Sequence, residues 1–277
     1  MKIVFIGGVE IGYTVLKSIY MNGYEVDTIF TLQKGSDASG YVDFSPLSKK
    51  EGSNLVRTAN INDSRNIDTI NNISPDIIIV CGWQRLISKK ILDIPKLGTI
   101  GFHSSLLPKY RGRAPVNWAI ILGEKETGIT MFYLTSEEDA GDIIAQKSFP
   151  ILFNDDCSTI YKKSAKAGAK LIKEYLPKIE NKTAPRVHNP SQSYPVYPKR
   201  IPEDGIIDFN RSALDVYNFI RALTRPYPGA FFFNESEKNE IINFKNFIQN
   251  EVQLPTVIVG ASNRTEMLLL EDQVGKD

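Results

Sequence analysis

The sequence predicts an α/β fold: a doubly wound, mostly parallel sheet, followed by a small mostly-β C-terminal domain. Three observations predict it. Short runs such as Ile3 to Ile6 and Ile77 to Val80 are apolar without alternation, as strands covered on both faces are. Segments of helical period separate them. From Thr183 to Pro202 the character changes, with five prolines in a polar setting that no helix can cross.

The elements follow in order. Ile3 to Ile6 is a strand ended by Gly7 and Gly8. Ile11, Val15, Leu16, Ile19 and Tyr20 repeat at helical steps. Glu25 to Thr31 is a second strand, Ser45 to Glu51 a short helix, Asn54 to Arg57 a strand and Ile67 to Ile73 a helix. Ile77 to Val80 is a strand buried on both faces, and Thr99 to Phe102 is another. Val116 to Leu122 reads as a helix; Gly128 to Leu134 and Ile143 to Ile151 read as an antiparallel pair. Ser158 to Leu176 is a long amphipathic helix, and Asp215 to Leu223 a later one. Strand-like runs close the chain at 230–233, 241–244, 255–259 and 267–270. The expected domains are 1–182 (catalytic), 183–205 (a Pro-rich linker) and 206–277 (a small, shortened α+β module).

Composition narrows the function. At 277 residues the chain is long enough for two domains. Lys plus Arg is 33 and Asp plus Glu is 32, so no global field draws nucleic acid or an anionic membrane. The two cysteines, Cys81 and Cys157, have no metal-ligand spacing and read as free thiols of a reducing compartment. No apolar run approaches the ~18 residues of a spanning helix, and the first is too short for a secretory leader. The expectation is a cytoplasmic protein with no metal. The loop Gly7-Gly8-Val9-Glu10-Ile11-Gly12 misses the dinucleotide spacing and aims Glu10 where a pyrophosphate belongs, so it reads as a tight strand-to-helix turn.

Only two histidines are present, His103 and His188. His188 lies in the Pro-rich stretch and reads as a surface residue. His103 ends a buried-type strand, where an open α/β sheet places its site. Lys109, Arg111 and Arg113 follow, then Pro115 at a helix start, together an anion-friendly rim. Downstream, Glu137, Glu138, Asp139 and Asp142 crowd one loop between strands. Pattern alone does not decide which acid meets His103.

His103, Ser105-Leu106-Leu107-Pro108, Tyr110-Arg111-Gly112 and, about 30 residues later, Asp139-Ala140-Gly141-Asp142-Ile143 form one ordered pattern. It resembles the formyltransferases that use 10-formyltetrahydrofolate. These include methionyl-tRNA formyltransferase, the glycinamide ribonucleotide enzyme and N-formyltransferases of nucleotide-linked amino sugars. The resemblance spans roughly residues 1–235 and includes Gly82-Trp83-Gln84-Arg85-Leu86-Ile87, Tyr197-Pro198-Lys199-Arg200 with Pro202-Glu203-Asp204-Gly205, and Arg225-Pro226-Tyr227-Pro228-Gly229-Ala230.

The resemblance implies a catalytic pair, His103 and Asp139. A charged imidazole donates to the oxyanion that develops when an amine attacks the formyl carbonyl. The carboxylate orients the ring, favours its charged form, and takes a proton from the attacking ammonium. The folate carrier is expected against Trp83, Arg85, Leu86 and Ile87 and the backbone of Ala140, Gly141 and Asp142. Where the family carries an Asn two residues before the His, this chain has Gly101. Losing one oxyanion donor costs about 100- to 1000-fold. Three readings follow: Ser105 or a backbone N–H replaces the donor, the enzyme is slow, or the fold is kept and the reaction lost. Under the first two, Gly101→Asn is expected to raise or preserve activity.

For the acceptor, residues 33–44 carry a single lysine and the C-terminal region no cation cluster, which disfavours tRNA. Arg111 to Trp118 resembles the sugar enzymes instead. The implied acceptor is an amino sugar on a nucleoside diphosphate, made for a surface polysaccharide, and held by Tyr110, Arg113, Asn117, Arg200 and Asp204. No nucleic acid or membrane partner is expected, and a homodimer is. The competing readings are methionyl-tRNA formyltransferase, a formyltetrahydrofolate hydrolase, and an impaired binding homologue.

Overall fold

The structure is a computed structural model that describes residues 1–36, 38–234 and 237–241. Its elements are β1 (Ile3–Ile6), α1 (Glu10–Met21), β2 (Val26–Thr31), α2 (Ser45–Glu51), β3 (Asn54–Arg57), α3 (Ser64–Ile73), β4 (Ile77–Val80), α4 (Lys89–Leu92), β5 (Thr99–His103), α5 (Pro115–Ile121), β6 (Glu126–Tyr133), β7 (Ile143–Pro150), α6 (Cys157–Glu180), α7 (Ala213–Ala222), β8 (Ala230–Asn234) and β9 (Glu237–Ile241). The chain divides into two compact units. The first holds Met1–Gly112, Gly128–Phe149 and Lys162–Val196. The second holds Arg113–Thr127, Pro150–Tyr161 and the described residues from Tyr197 on.

The main sheet has seven strands in the order β3-β2-β1-β4-β5-β6-β7. The first five run parallel, and β6 runs antiparallel to β5. The chain reverses its direction of sheet growth between β1 and β4, and the loops after these strands meet: the Gly8 N–H donates to the Gly82 carbonyl at 3.1 Å. The doubly wound expectation holds, and its cause is visible in the burial. Ile3, Phe5, Ile77 and Ile79 pack on one face with Val15, Leu16 and Ile19 of α1 and with Leu171, Ile172 and Leu176 of α6. Val4, Ile6, Ile78 and Val80 pack on the other with Ile70 of α3 and Ile91 of α4. Uniformly apolar strands are the consequence of two covered faces. Truncating Phe5, fully buried, is expected to cost about 3–5 kcal/mol.

Glycines 7 and 12 serve this packing. A side chain at either would run into the Cys81 carbonyl oxygen, so the first loop is a close strand-to-helix turn. Among the described residues, four elements differ from expectation by more than two residues. α3 begins at Ser64 and not Ile67, and β9 begins at Glu237 and not Ile241. The four-residue α4 is too short to carry a period. And α6 continues past Pro177 to Glu180, because Ile179, 2% exposed, extends its buried stripe.

The second unit is built on α5 and α7, with Ile207, Val216, Ile220, Leu223 and Phe232 in its core. Buried Arg221 in α7 donates to the carbonyls of Leu152 (3.0 Å) and Asp155 (2.7 Å). A hairpin of β8 and β9 follows. The strand-like runs at 255–259 and 267–270, and most of that at 241–244, lie outside the described residues.

Candidate active site

β5 delivers His103 to the carboxyl end of the sheet, paired across β6 with Thr130. Both residues anchor the loop that follows. Thr130 Oγ1 donates to the Ser105 carbonyl (2.7 Å) and accepts from the Leu107 N–H (3.0 Å) and from Gln146 Nε2 (2.9 Å). The hydroxyl is fully used, so the loop is tied to the strand behind it. Tyr110 then turns back with φ of +56°. Its carbonyl oxygen accepts from Nε2 of His103 at 2.8 Å. A carbonyl can only accept, so Nε2 carries a proton and the ring is oriented.

The other ring nitrogen, Nδ1, lies 3.5 Å from Oδ2 of Asp139. That is longer than a good hydrogen bond and leaves Nδ1 the less committed nitrogen. Asp139 follows β6 with φ of +51°, a conformation Asp adopts more readily than most residues. Its Oδ2 also accepts from the Gly112 N–H at 2.8 Å. The neighbouring Glu138 carbonyl accepts from Arg111 Nη2 at 2.9 Å. The loops bearing His103 and Asp139 are therefore joined at several points. The side chains of both residues are largely buried, at 10% and 15% exposure.

Ser105 lies in the same loop, with its N–H on the His103 carbonyl at 2.9 Å, but its hydroxyl is taken elsewhere. It is fully buried and its hydroxyl donates to the Lys109 carbonyl at 2.6 Å. Arg111, expected in an anion-friendly rim, is 6% exposed and spends its guanidinium on backbone carbonyls. Lys109 and His188 are exposed. The site at Gly101 is closed: a Cβ there would lie 2.5 Å from Leu134 Cδ2 and 3.2 Å from a Phe132 ring carbon. Gly101 and His103 share a face of β5, so Leu134 packs over the strand on the histidine's side.

The loop after β4 begins with Gly82 at φ of +68°. Trp83 and Ile87 pack against the same core cluster as Leu134. Arg85 is held on the Ala59 carbonyl. The Leu86 carbonyl accepts from Asn62 at 2.9 Å while its side chain stays 62% exposed. The indole N–H of Trp83 is buried with no partner among the described residues. An exposed leucine in the same loop as an aromatic ring with an orphaned donor is a combination that suits a flat ligand with polar edges. In the Asp139 loop, Ala140 is half-buried, Gly141 lies so close to the Tyr133 carbonyl that no side chain fits, and the Asp142 carbonyl accepts from the Tyr133 N–H at 2.9 Å.

Arg113, Asn117, Arg200 and Asp204 belong to the second unit. Asn117 is 1% exposed and donates to the Ala222 carbonyl at 2.6 Å, so it ties α5 to the end of α7. The Arg113 N–H donates to the Tyr197 carbonyl at 2.9 Å. Arg200 donates to the Asp204 carbonyl at 2.6 Å, and its guanidinium lies 5.0 Å from the Trp118 ring and 5.4 Å from that of Phe219. Arg200, Asp204, Trp118 and Phe219 line a cavity of about 540 Å³ within that unit, with Lys199 and Arg211 beside them; Arg113 and Asn117 are not on its wall. Burial lowers the pKa of Arg200 from its ordinary value, with Asp204 opposing.

Sequence reasoning missed the Tyr110 carbonyl, Thr130, Arg111's inward turn and Leu134. Backbone acceptors leave no trace in a sequence; Arg111 beside a histidine motif was visible, but not its direction. Both cysteines are buried, which pushes their thiols up and keeps them unreactive. No described helix is long and apolar enough to cross a membrane.

Residues 1–176 match the family described as formyl transferase, and residues 199–268 match the formyl transferase C-terminal domain. The chain is 37% identical over 254 residues to the bifunctional polymyxin resistance protein ArnA of Wigglesworthia glossinidia brevipalpis, which is 91% of this chain and 38% of that protein. It thus spans well under half the length of that relative. Its fold is also that of an N-formyltransferase from Helicobacter canadensis solved with folinic acid and dTDP-3-aminofucose (TM-score 0.70, 21% identity, 87% of this chain and 86% of that one). A 4-N formyltransferase from Francisella tularensis is similar too (TM-score 0.70, 20% identity, 87% and 96% covered). With 176 N-terminal residues matched to one family and the rest of the pattern to its C-terminal domain, the chain belongs to the formyl transferases.

Proposed function

We propose that the protein transfers the formyl group of 10-formyltetrahydrofolate to the amine of a nucleotide-linked amino sugar. The observation that carries this is His103 set between the Tyr110 carbonyl and the Asp139 carboxylate at the end of β5. Family membership supports the reaction class. The sugar enzymes that share the fold support the acceptor, as does a cavity with cations beside aromatic rings, which suits a nucleoside diphosphate.

The chemistry follows from the ring. With Nε2–H fixed on Tyr110, a neutral His103 presents a lone pair at Nδ1 and a charged one presents a donor there. In the first state Nδ1 and Asp139 accept the proton that an attacking ammonium sheds. In the second Nδ1–H hydrogen-bonds the oxygen on which negative charge grows. The carrier supplies the activated formyl group. As the tetrahedral intermediate collapses, the bond from the carrier nitrogen to the formyl carbon would break, and that nitrogen would take a proton and leave as part of tetrahydrofolate. Trp83, Arg85, Leu86 and Ile87, with the backbone of residues 140–142, are the residues that would hold it. Arg113, Arg200 and Asp204 would hold the acceptor; Asn117, buried and bonded to the Ala222 carbonyl, would instead support α5. In this reading the enzyme is a cytoplasmic homodimer serving surface-polysaccharide synthesis, with 1–182 as its catalytic part and 206–277 as a small module after a linker.

A second reading rests on Gly101. With Leu134 packed over it, no side chain at that position assists His103. This favours a slow enzyme or a binding homologue.

Mass spectrometry with 10-formyltetrahydrofolate and a panel of nucleotide-linked 3- and 4-amino sugars tests both. A product heavier by one formyl group, absent with His103→Ala or Asp139→Ala, is expected. Folate binding without product across the panel would overturn the first reading in favour of the second. Formate release without an amine would mark a hydrolase.

A further inference from the structure

A strap formed by residues 186–191, outside both motif-bearing loops, runs beside the loop of Asp139. Val187 and Ile143 exchange backbone hydrogen bonds at 2.8 and 2.9 Å. Arg186 lies 3.7 Å from the Asp142 carboxylate and 3.6 Å over the Tyr133 ring. The Ser191 carbonyl accepts from Arg111 Nη1 at 2.7 Å, while the same guanidinium reaches Glu138. Between these ties sits Asn189, 2% exposed. Its amide nitrogen donates to the Asp139 carbonyl at 2.9 Å and to the Gly141 carbonyl at 3.3 Å.

The amide orientation is fixed by its partners. Both are carbonyl oxygens, so only the NH₂ end can face them. The other end, Oδ1, is buried without a partner among the described residues. A residue kept only to fill space has no need of an orphaned polar atom. The donor is what this position uses. Its targets are the carbonyls of the turn that holds Asp139 at φ of +51°, a conformation that persists in a residue with a side chain only when its surroundings fix it.

We propose that Asn189 is a positioning residue for formyl transfer: it locks the Asp139–Gly141 turn and so holds the Asp139 carboxylate against Nδ1 of His103. The inference rests on the formyl-transfer reading for its kinetic consequence. A misplacement near 1 Å costs about 100-fold, so the loss expected from a loosened turn is about 10- to 100-fold in kcat.

The test is a double-mutant cycle of Asn189→Ala and Asp139→Ala. Asn189→Ala is expected to lower kcat by about 10- to 100-fold, to leave KM for the acceptor within about two-fold, and to raise KM for the carrier, whose proposed contacts include the Gly141 backbone. In the Asp139→Ala background it is expected to cost nothing more. Asn189→Asp keeps the volume without the donor and is expected to fall at least as far; Asn189→Ser keeps a donor and is expected to recover part of the loss. Wild-type kcat in Asn189→Ala, or a loss that multiplies that of Asp139→Ala, would overturn the proposal. A second readout needs no turnover: the chain has two histidines, so the ring ¹⁵N signals of His103 are readily assigned. In Asn189→Ala they are expected to move toward those of Asp139→Ala, and signals that stay at wild-type positions would overturn the proposal. If the wild type transfers no formyl group to any acceptor, the functional reading fails, while this second readout still decides the role of Asn189.

Discussion

Nε2 of His103 is committed to the backbone carbonyl of Tyr110 at 2.8 Å, so everything this histidine does for a ligand it does through Nδ1, the nitrogen 3.5 Å from Asp139. One consequence is that His103 and Asp139 act as a unit. His103→Ala and Asp139→Ala are each expected to lower turnover by about 100- to 10,000-fold. The double variant is expected to be little worse than either single one, because groups sharing one step are not additive. Steady-state rates of the three variants check this; fully multiplicative losses would mean that the two residues serve separate steps.

Gly101 is coupled to Leu134. An Asn placed at 101 meets Leu134 Cδ2 at 2.5 Å, a contact that forces one of them to move. Gly101→Asn alone is therefore expected to destabilise the fold by about 1–3 kcal/mol and to lower activity. The packing of Leu134 thus reverses the expectation from sequence that the new side chain by itself raises or preserves the rate. In Gly101→Asn with Leu134→Ala the space is opened, and the amide is free to donate toward the reacting oxygen. The pair is expected to be faster than either single variant, by up to the 100-fold that one oxyanion donor is worth at the low end. Thermal unfolding and turnover of the three variants measure it.

The sheet was legible because both its faces are covered: Ile3 to Ile6 and Ile77 to Val80 are uniformly apolar, too short for helices and rich in β-branched residues, which marks interior strands. The place of His103 was legible for a related reason, since a residue that ends such a strand stands at the open end of the sheet. Its partners were less so. Asp139 came from the ordered motif and not from physics, because four acids share the loop. Tyr110 contributes through a carbonyl, which every residue has. Asn189 sat in a stretch whose prolines announce only that it is not helical. Ser105 had the right hydroxyl, but a turn closing on Lys109 takes it, and turn closure depends on backbone geometry that composition does not encode.

Arg200 gives the acceptor reading its own test. Its guanidinium lies 5.0 Å from the Trp118 ring and 5.4 Å from the Phe219 ring, on the wall of the second unit's cavity. Arg200→Ala is expected to raise KM for a nucleotide-sugar acceptor by about 10-fold or more and to leave KM for the carrier unchanged. Arg200→Lys keeps the charge but not the planar fork, so it is expected to fall between. A rise in the carrier's KM instead would place the residue on the wrong substrate.

Asp43 carries the clearest link between charge and stability. Its carboxylate accepts the Ser45 N–H at 3.0 Å and Arg57 Nη2 at 2.7 Å, and the Ser45 hydroxyl at 2.9 Å. The Ser45 N–H, at the start of α2, and Arg57 hold its pKa down to about 2. A folded pKa below the unfolded value of about 3.9 means that the unfolded chain binds the proton more tightly. The stabilisation is therefore complete above about pH 5 and is lost as pH falls from about 4 through about 2. Because the side chain is 35% exposed, solvent screening reduces the effect to about 1 kcal/mol. Asp43→Asn is expected to be less stable than the wild type by about that amount at neutral pH. The gap between their urea midpoints is expected to stay level from pH 7 to about 5 and to narrow below about 4. A gap that keeps its full size down to the lowest pH at which both chains fold would show that Asp43 acts through packing and not through its charge.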